Sequence, residues 1–235
     1  MLRRSEPRRR PLLLAIGAAA ALTLTACSGG DVQGTPEPAA GSATAAPSGS
    51  EDLDSLLIDP SAFPGKYDAI VLPPQAIAQA SPDLTGIPAG AEVSPAGCKP
   101  KDVVPGSAAL IVGTDNANRA TISIELTSVD EPLSVREDQL TECAEVEATK
   151  SGATSKIRST ITPAPPIDAD ETLAVRQTVS SGTGTESVTQ SMLTLMAQVG
   201  GVRIAATHMS FDAATPDAET LDELFTAAVQ KVKAG

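Results

Sequence analysis

Four residues are the first candidates for chemistry in this 235-residue chain: Cys27, Cys98, Cys143 and His208. Cys27 closes Leu24-Thr25-Ala26-Cys27, directly after an apolar run. All four positions fit a bacterial lipobox, in which the cysteine is lipidated and becomes the first residue of the mature protein. A plain secretory signal with a chance cysteine is the competing reading. Assigning Cys27 to lipid leaves Cys98 and Cys143, an even number in an exported domain, which predicts a disulfide. It would close a loop of about 45 residues, worth roughly 4 kcal/mol in the chain-entropy model. Two unpaired buried thiols are the alternative.

His208 is the only histidine. Acid–base catalysis would need a partner and a nucleophile in reach of it, and the sequence offers no G-x-S-x-G and no HExxH run. A structural histidine is the simpler reading. One His and two Cys fall short of a metal ligand set, so no metal and no cofactor are expected. Gly182-Thr183-Gly184 has the look of a phosphate loop but lacks the following Lys-Ser/Thr, and reads as a turn between strands. Carboxylates are abundant enough for a glycosidase pair, but there is no Trp and only Tyr67 as tyrosine. Sugar and base platforms need aromatics. The chain is therefore not expected to be an enzyme.

The segment ahead of Cys27 has the parts of a signal peptide: a basic stretch with Arg3, Arg4, Arg8, Arg9 and Arg10, then the apolar run Pro11 to Leu22. That run is too short to span a bilayer, which takes roughly 20 residues. Arg9-Arg10 also permits twin-arginine export. Residues 1–26 are read as the signal and 27–52 as a lipidated tether rich in Gly, Ala, Ser and Pro, too poor in apolar surface to fold. Residues 53–235 are read as one extracytoplasmic domain. The full chain carries −12; without residues 1–26, 12 basic and 28 acidic side chains remain, a balance of −16. Such a field disfavours nucleic acid and holds the domain off anionic headgroups. The expected location is the outer face of the cell membrane. The expected partners are the membrane, through the lipid, and an envelope protein or small ligand.

The positioning elements follow from periodicity. Leu53, Leu56, Leu57 and Ile58 give a short amphipathic turn, Asp68 to Leu72 a short strand, and Gln75 to Ala80 a helical turn or two. Residues 81–106 hold five prolines and four glycines and read as an irregular loop containing Cys98. Ile122, Ile124 and Leu126 alternate with Thr121, Ser123, Glu125 and Thr127, so Ser107 to Val129 reads as a hairpin. A helix is predicted from Pro132 to about Thr149, with Leu133, Val135 or Arg136, Leu140, Cys143, Ala144 and Ala148 inward. Strands follow at 155–162, 172–180, 188–199 and 202–211, the last two joined by Gly200-Gly201, a type I′ signal. On strand 188–199, Met192 and Met196 share a face with Gln190, Thr194 and Gln198. That face would line a soft groove or pack under a helix. The last helix is capped by Thr215, starts at Pro216, and buries Leu221, Leu224, Phe225, Ala228, Val229 and Val232. The fold class is α+β, a twisted antiparallel sheet of about six strands with two main helices on one face.

The lipobox, Cys143 after the first hairpin and the final helix of residues 216–233 resemble the extracytoplasmic sensor domain of certain mycobacterial serine/threonine kinases and related mycobacterial lipoproteins. The resemblance covers roughly the last 130 residues, in order of elements rather than residue identity. It implies a twisted antiparallel sheet, two main helices and a cleft whose ligand is not established. The kinase sensor has two disulfides, whereas this domain can make one. No functional residue transfers. The expected role is therefore a membrane-anchored, non-catalytic, sensor-like domain. A lipid carrier between envelope layers, which needs a large apolar cavity, and a cell-wall hydrolase are the alternatives.

Overall fold

The computed structural model describes residues 50–101, 103–104, 106–182, 187–211 and 215–235. The signal, Cys27 and nearly all of the tether lie outside the described residues, as does the Thr183-Gly184 part of the expected turn. The described chain forms one antiparallel sheet. Its strands are β1 (Asp68–Val71), β2 (Glu92–Ser94), β3 (Ala108–Asp115), β4 (Ala120–Ser128), β5 (Glu145–Lys150), β6 (Ala153–Thr162), β7 (Glu171–Ser181), β8 (Val188–Val199) and β9 (Val202–Phe211). The helices are α1 (Ser50–Leu56), α2 (Pro74–Thr85), α3 (Leu133–Glu142) and α4 (Ala218–Ala234). The strand order is β1-β3-β4-β9-β8-β7-β6-β5-β2.

The α+β class stands, but the sheet has nine strands, not about six. Two of the additional strands are β5, in the segment expected to be helical, and β2, in the segment expected to be a loop. Glu145-Val146-Glu147-Ala148-Thr149 alternates polar and apolar residues, and Val146 and Ala148 are buried while their neighbours are not. The helix expected to reach Thr149 stops at Glu142, and the chain continues as β5. Ser151 and Gly152 both take positive φ, 52° and 81°, and close a two-residue β5–β6 hairpin. The new β5 edge then recruits Glu92–Ser94 as β2. The loop expected over 81–106 is also partly ordered: α2 runs through Pro82 to Thr85, and a 3₁₀ turn spans Ala96–Cys98. At the β8–β9 hairpin only Gly200 has positive φ, 55°, so one glycine meets the backbone demand and the type I′ expectation does not hold.

Helices cover both faces of the sheet, not one. Side chains alternate across each strand, so Ile111, Ile124, Ile204, Leu195 and Ala197 point to one face and Leu110, Ala205, Met196 and Val175 to the other. The first face meets α1 and α4 through Leu53, Leu57, Leu221, Leu224, Phe225, Ala228, Val229 and Val232. The spacing of the α4 residues matches the predicted stripe, and each large side chain contributes about 1.5–3 kcal/mol by burial. Asp217, not Thr215, caps α4, its carboxylate accepting from the Thr220 amide. Tyr67 Oη donates to the same carboxylate at 3.0 Å and Lys66 Nζ lies 2.6 Å from it, fixing the helix start to the chain before β1. Tyr67 and Phe63 sit over Gly113, where a Cβ would meet Phe63 at 2.5 Å.

Candidate functional site

The opposite face is where polar side chains are recessed. Here α2 packs Ile77, Ala80 and Leu84 on β3, around Ala108 and Leu110. Helix α3 packs Leu133 and Leu140 on Leu173, Val175, Met196 and Ile161 of β7, β8 and β6. The strands between these contacts, β4, β9 and β8, make a recessed stretch of sheet between the two helices whose polar side chains are buried. Cys98 and Cys143 are disulfide-bonded at one end of it, with Cα atoms 5.6 Å apart. The bond ties the 3₁₀ turn after β2 to the C-terminus of α3. Ala91, Val146, Ala148, Ile157, Val179 and Met192 pack beside it. Met192 and Met196 thus lie under neighbouring structure and do not line an open groove.

The floor is polar for its depth. Ser123, Thr194, Gln198 and Thr207 are buried, and the Thr194 and Thr207 hydroxyls are 3.0 Å apart. Glu125 of β4 accepts from Ser81 Oγ of α2 at 2.7 Å. It keeps a sliver of exposure, yet its carboxyl lies deep enough that burial pushes its pKa upward against the bond from Ser81. Arg203 of β9 donates through Nη2 to the Glu131 carbonyl (2.9 Å) and to Gln198 Oε1 (3.0 Å), while its Nε is buried without a partner. Arg136 of α3 donates to Gln139 Oε1 at 2.6 Å. Burial lowers the pKa of both arginines, and the charge of Arg203 lowers that of Arg136 further. At the mouth, Lys101 pairs with Glu131 at 3.0 Å. Between Thr85, Arg136, Gln139, Gln177 and the disulfide remains a crevice of about 20 Å³, room for roughly one water.

The Glu125 carboxyl makes a testable contribution. A carboxyl whose folded pKa is raised stabilises fully below its unfolded value, near 4.5, and loses that contribution as pH rises through the folded value. Glu125→Gln keeps the acceptor for Ser81 and removes the buried charge. Thermal melts should show the variant more stable than the wild type at pH 7.5 and matched to it at pH 4. A variant less stable at pH 7.5 would contradict the assignment.

His208 lies on the other face, 3 % exposed, with Nδ1 unpartnered and its pKa lowered by burial. It shares no pocket with the cleft residues. Among the described residues, no group of three or more His, Cys, Asp or Glu is placed to hold a metal. A larger hollow of about 410 Å³ lies between α4 and the β6–β7 loop, lined by Pro166, Ile167, Val229 and the Lys233–Asp168 ion pair. It is a surface groove rather than the enclosed apolar chamber of a lipid carrier. Among the described residues no helix is long and apolar enough to cross a membrane.

Ser81, Glu125, Arg136 and Arg203 were not singled out as a site by sequence reasoning. Glu125 stood only as an alternating polar position, and Arg136 only as an alternative on the inward stripe of a helix. The readable signal was a charged residue at an in-facing register, on both β4 and α3.

No protein-family model matches the chain, and a search of curated proteins finds no match. Solved structures are similar to it. One is an uncharacterised protein of Mycobacterium smegmatis, the Rv0999 ortholog: TM-score 0.47, 19 % identity, covering 74 % of this chain and 92 % of that one. Another is the extracellular domain of PknH from Mycobacterium tuberculosis: TM-score 0.50, 13 % identity, covering 80 % and 98 %. The fold is thus shared with an extracellular domain of the kind the sequence resembles.

Proposed function

We propose that this chain is a lipid-anchored envelope protein whose domain recognises a ligand or partner in the cleft between α2 and α3, without performing chemistry on it. The observation that carries the reading is the polar stretch of sheet between α2 and α3, which holds Glu125, Arg203, Thr194, Thr207 and Gln198, with the C-terminus of α3 tied by the disulfide to the 3₁₀ turn after β2. Buried polar groups cost stability unless they are paired, and fixed polar groups converging in a cleft are what give a binding site its specificity. The fold shared with the extracellular domain of PknH supports an extracytoplasmic address. Cys27 supplies the anchor in this reading. Two or more acyl chains hold stably where one is marginal.

Two measurements test it. Cys27→Ala should move the protein from the membrane fraction to the soluble envelope fraction of its host; retention in the membrane would contradict the anchor. Native mass spectrometry of the protein from its own envelope should show a stoichiometric bound species. Gln139→Trp, which fills the crevice mouth, should lose it. Uniformly apo protein, or turnover of a cell-wall substrate, would overturn the binding reading.

A further inference from the structure

We infer that β1 is a docking edge for a second copy of this chain, the two β1 strands pairing antiparallel about a two-fold axis at Ile70. β1 is the outermost strand on its side of the sheet and pairs only with β3. The Leu72 amide donates to the Leu110 carbonyl, and bonding alternates along an antiparallel ladder. Asp68, Ile70 and Leu72 therefore bond inward to β3, while the backbone N–H and C=O groups of Ala69 and Val71 point away from the sheet. Among the described residues no backbone group outside the ladder reaches them. Open edges are normally blunted by shortness, by Lys or Pro, or by a bulge. β2, the opposite edge, is three residues long and runs into Pro95. β1 holds neither Lys nor Pro, and its Ile70 and Val71 are 59 % and 43 % exposed. These two side chains stand on opposite faces, so an added strand gains apolar contact on both.

The sequence of the edge selects its occupant. With Ile70 facing the partner's Ile70, Ala69 faces the partner's Val71 and Val71 faces the partner's Ala69. Each of these pairs exchanges both its N–H···O bonds, so every outward group of both strands is satisfied. A slide by one residue sets outward groups against inward ones. A slide by two residues one way sets Val71 against the partner's Tyr67, whose N–H is already given to the Pro64 carbonyl. The same slide the other way sets Ala69 against the partner's Pro73, which has no N–H. Either leaves a carbonyl on each strand unpaired. In the central register the two Ile70 side chains form a non-hydrogen-bonded pair, the closer kind, and apolar cross-strand pairs stabilise a sheet. Asp68, the charged residue of β1, faces the partner's Leu72 rather than its own counterpart. Pairing so short a strand buries less than a standard interface, and the −12 charge of the chain opposes it. The dimer is therefore weak, and salt strengthens it by screening. The inference stands apart from the cleft reading. The proposed anchor bears on it only through concentration, since copies held on one membrane meet more often.

The test uses the full chain carrying Cys27→Ala, in which the remaining native cysteines are the disulfide-bonded Cys98 and Cys143. Ile70→Cys should cross-link into a dimer under mild oxidation, because the facing Cα atoms would lie about 4.5 Å apart, within disulfide reach. Asp68→Cys, on the same face, should not, because its counterpart would lie roughly 13 Å along the paired strand. Sedimentation velocity and ¹⁵N amide shifts, followed from micromolar to millimolar chain, should show saturable self-association that moves Ala69 and Val71 most and grows with salt. Ile70→Lys should abolish it by setting two ammonium groups opposite each other, and Ile70→Glu by setting two carboxylates opposite each other. Both variants should melt with the parent chain, since the position is exposed. Mixed in equal amounts, they should dimerise again. Asp68→Cys cross-linking as fast as Ile70→Cys, or no recovery in the mixture, would overturn the inference. So would a chain that stays monomeric at millimolar concentration while an envelope protein fraction shifts the Ala69 and Val71 amides, because the edge then takes a foreign strand. Self-association through β1 with no ligand shifts in the cleft would sink the cleft reading and leave this inference standing.

Discussion

Replacing Cys98 and Cys143 together by serine is expected to cost about 4 kcal/mol of folding stability, from the closure of a loop with a sequence separation of 45. The loop contains β3, β4 and α3, but its first part is weakly held. β2 is three residues long and pairs only with β5, at the sheet edge. Without the bond, the segment around Cys98 would keep contact mainly through Ala91 and Val93. The unfolded chain would also regain the freedom the bond removes. Urea titrations of the oxidised protein and the double serine variant should differ in midpoint by the equivalent of that energy. A loss below about 1 kcal/mol would mean that the packing of Cys98 and Cys143, not the covalent link, holds this end of the cleft.

Phe225→Ala is expected to cost about 3–5 kcal/mol, the range for truncating a fully buried aromatic. Phe225 has no exposure and lies in the cluster that joins α4 to α1 and the sheet. Its neighbours come from three elements, so the cavity has no easy route to collapse. For a chain of this size each kcal/mol corresponds to roughly 2–4 °C, so the melting point should fall by roughly 6–20 °C. Val135→Ala, at a position 47 % exposed on α3, should stay within about 0.5 kcal/mol. A mild Phe225→Ala phenotype would show that α4 is less essential to the core than its buried stripe indicates.

Strongly periodic segments were legible in the sequence. The α4 stripe, the β3–β4 hairpin and strands β6 to β9 all stand close to where alternation and spacing put them. The misreadings have physical causes. The charged composition of Glu145 to Lys150 suits a solvated helix face, and it masked an alternation that the Ser151-Gly152 turn should have exposed. The helical turn or two read over Gln75 to Ala80 extends through Pro82 to Thr85 as α2, with the start of the helix anchored by Ile77 on β3. The placement of helices on both faces is not a local property. It follows from which strands become neighbours, and α3 and α4 lie on opposite sides because β7 and β9 present opposite parities to them.

The site was legible only in fragments. The parity of Thr194 and Gln198 put polar groups on one face of β8, and the Glu125 alternation did the same on β4. Bringing these together with Arg136 and Arg203 depends on β9 lying between β4 and β8, a long-range pairing that no window of sequence contains. Cysteine counting was the exception. It drew on compartment rather than contact, and the Cys98–Cys143 bond is present.

The central claim is that ligand recognition happens in the cleft between α2 and α3, and amide shift mapping tests it most directly. The full chain, labelled with ¹⁵N, would be titrated with a small-molecule extract of its host's envelope. Perturbed amides should cluster on α2, α3 and the floor residues Glu125, Thr194, Arg203 and Thr207, and Arg203→Gln should diminish them. Shifts confined to the groove beside Val229 and Ile167, or to the bare face of β5 and β6, would contradict the claim.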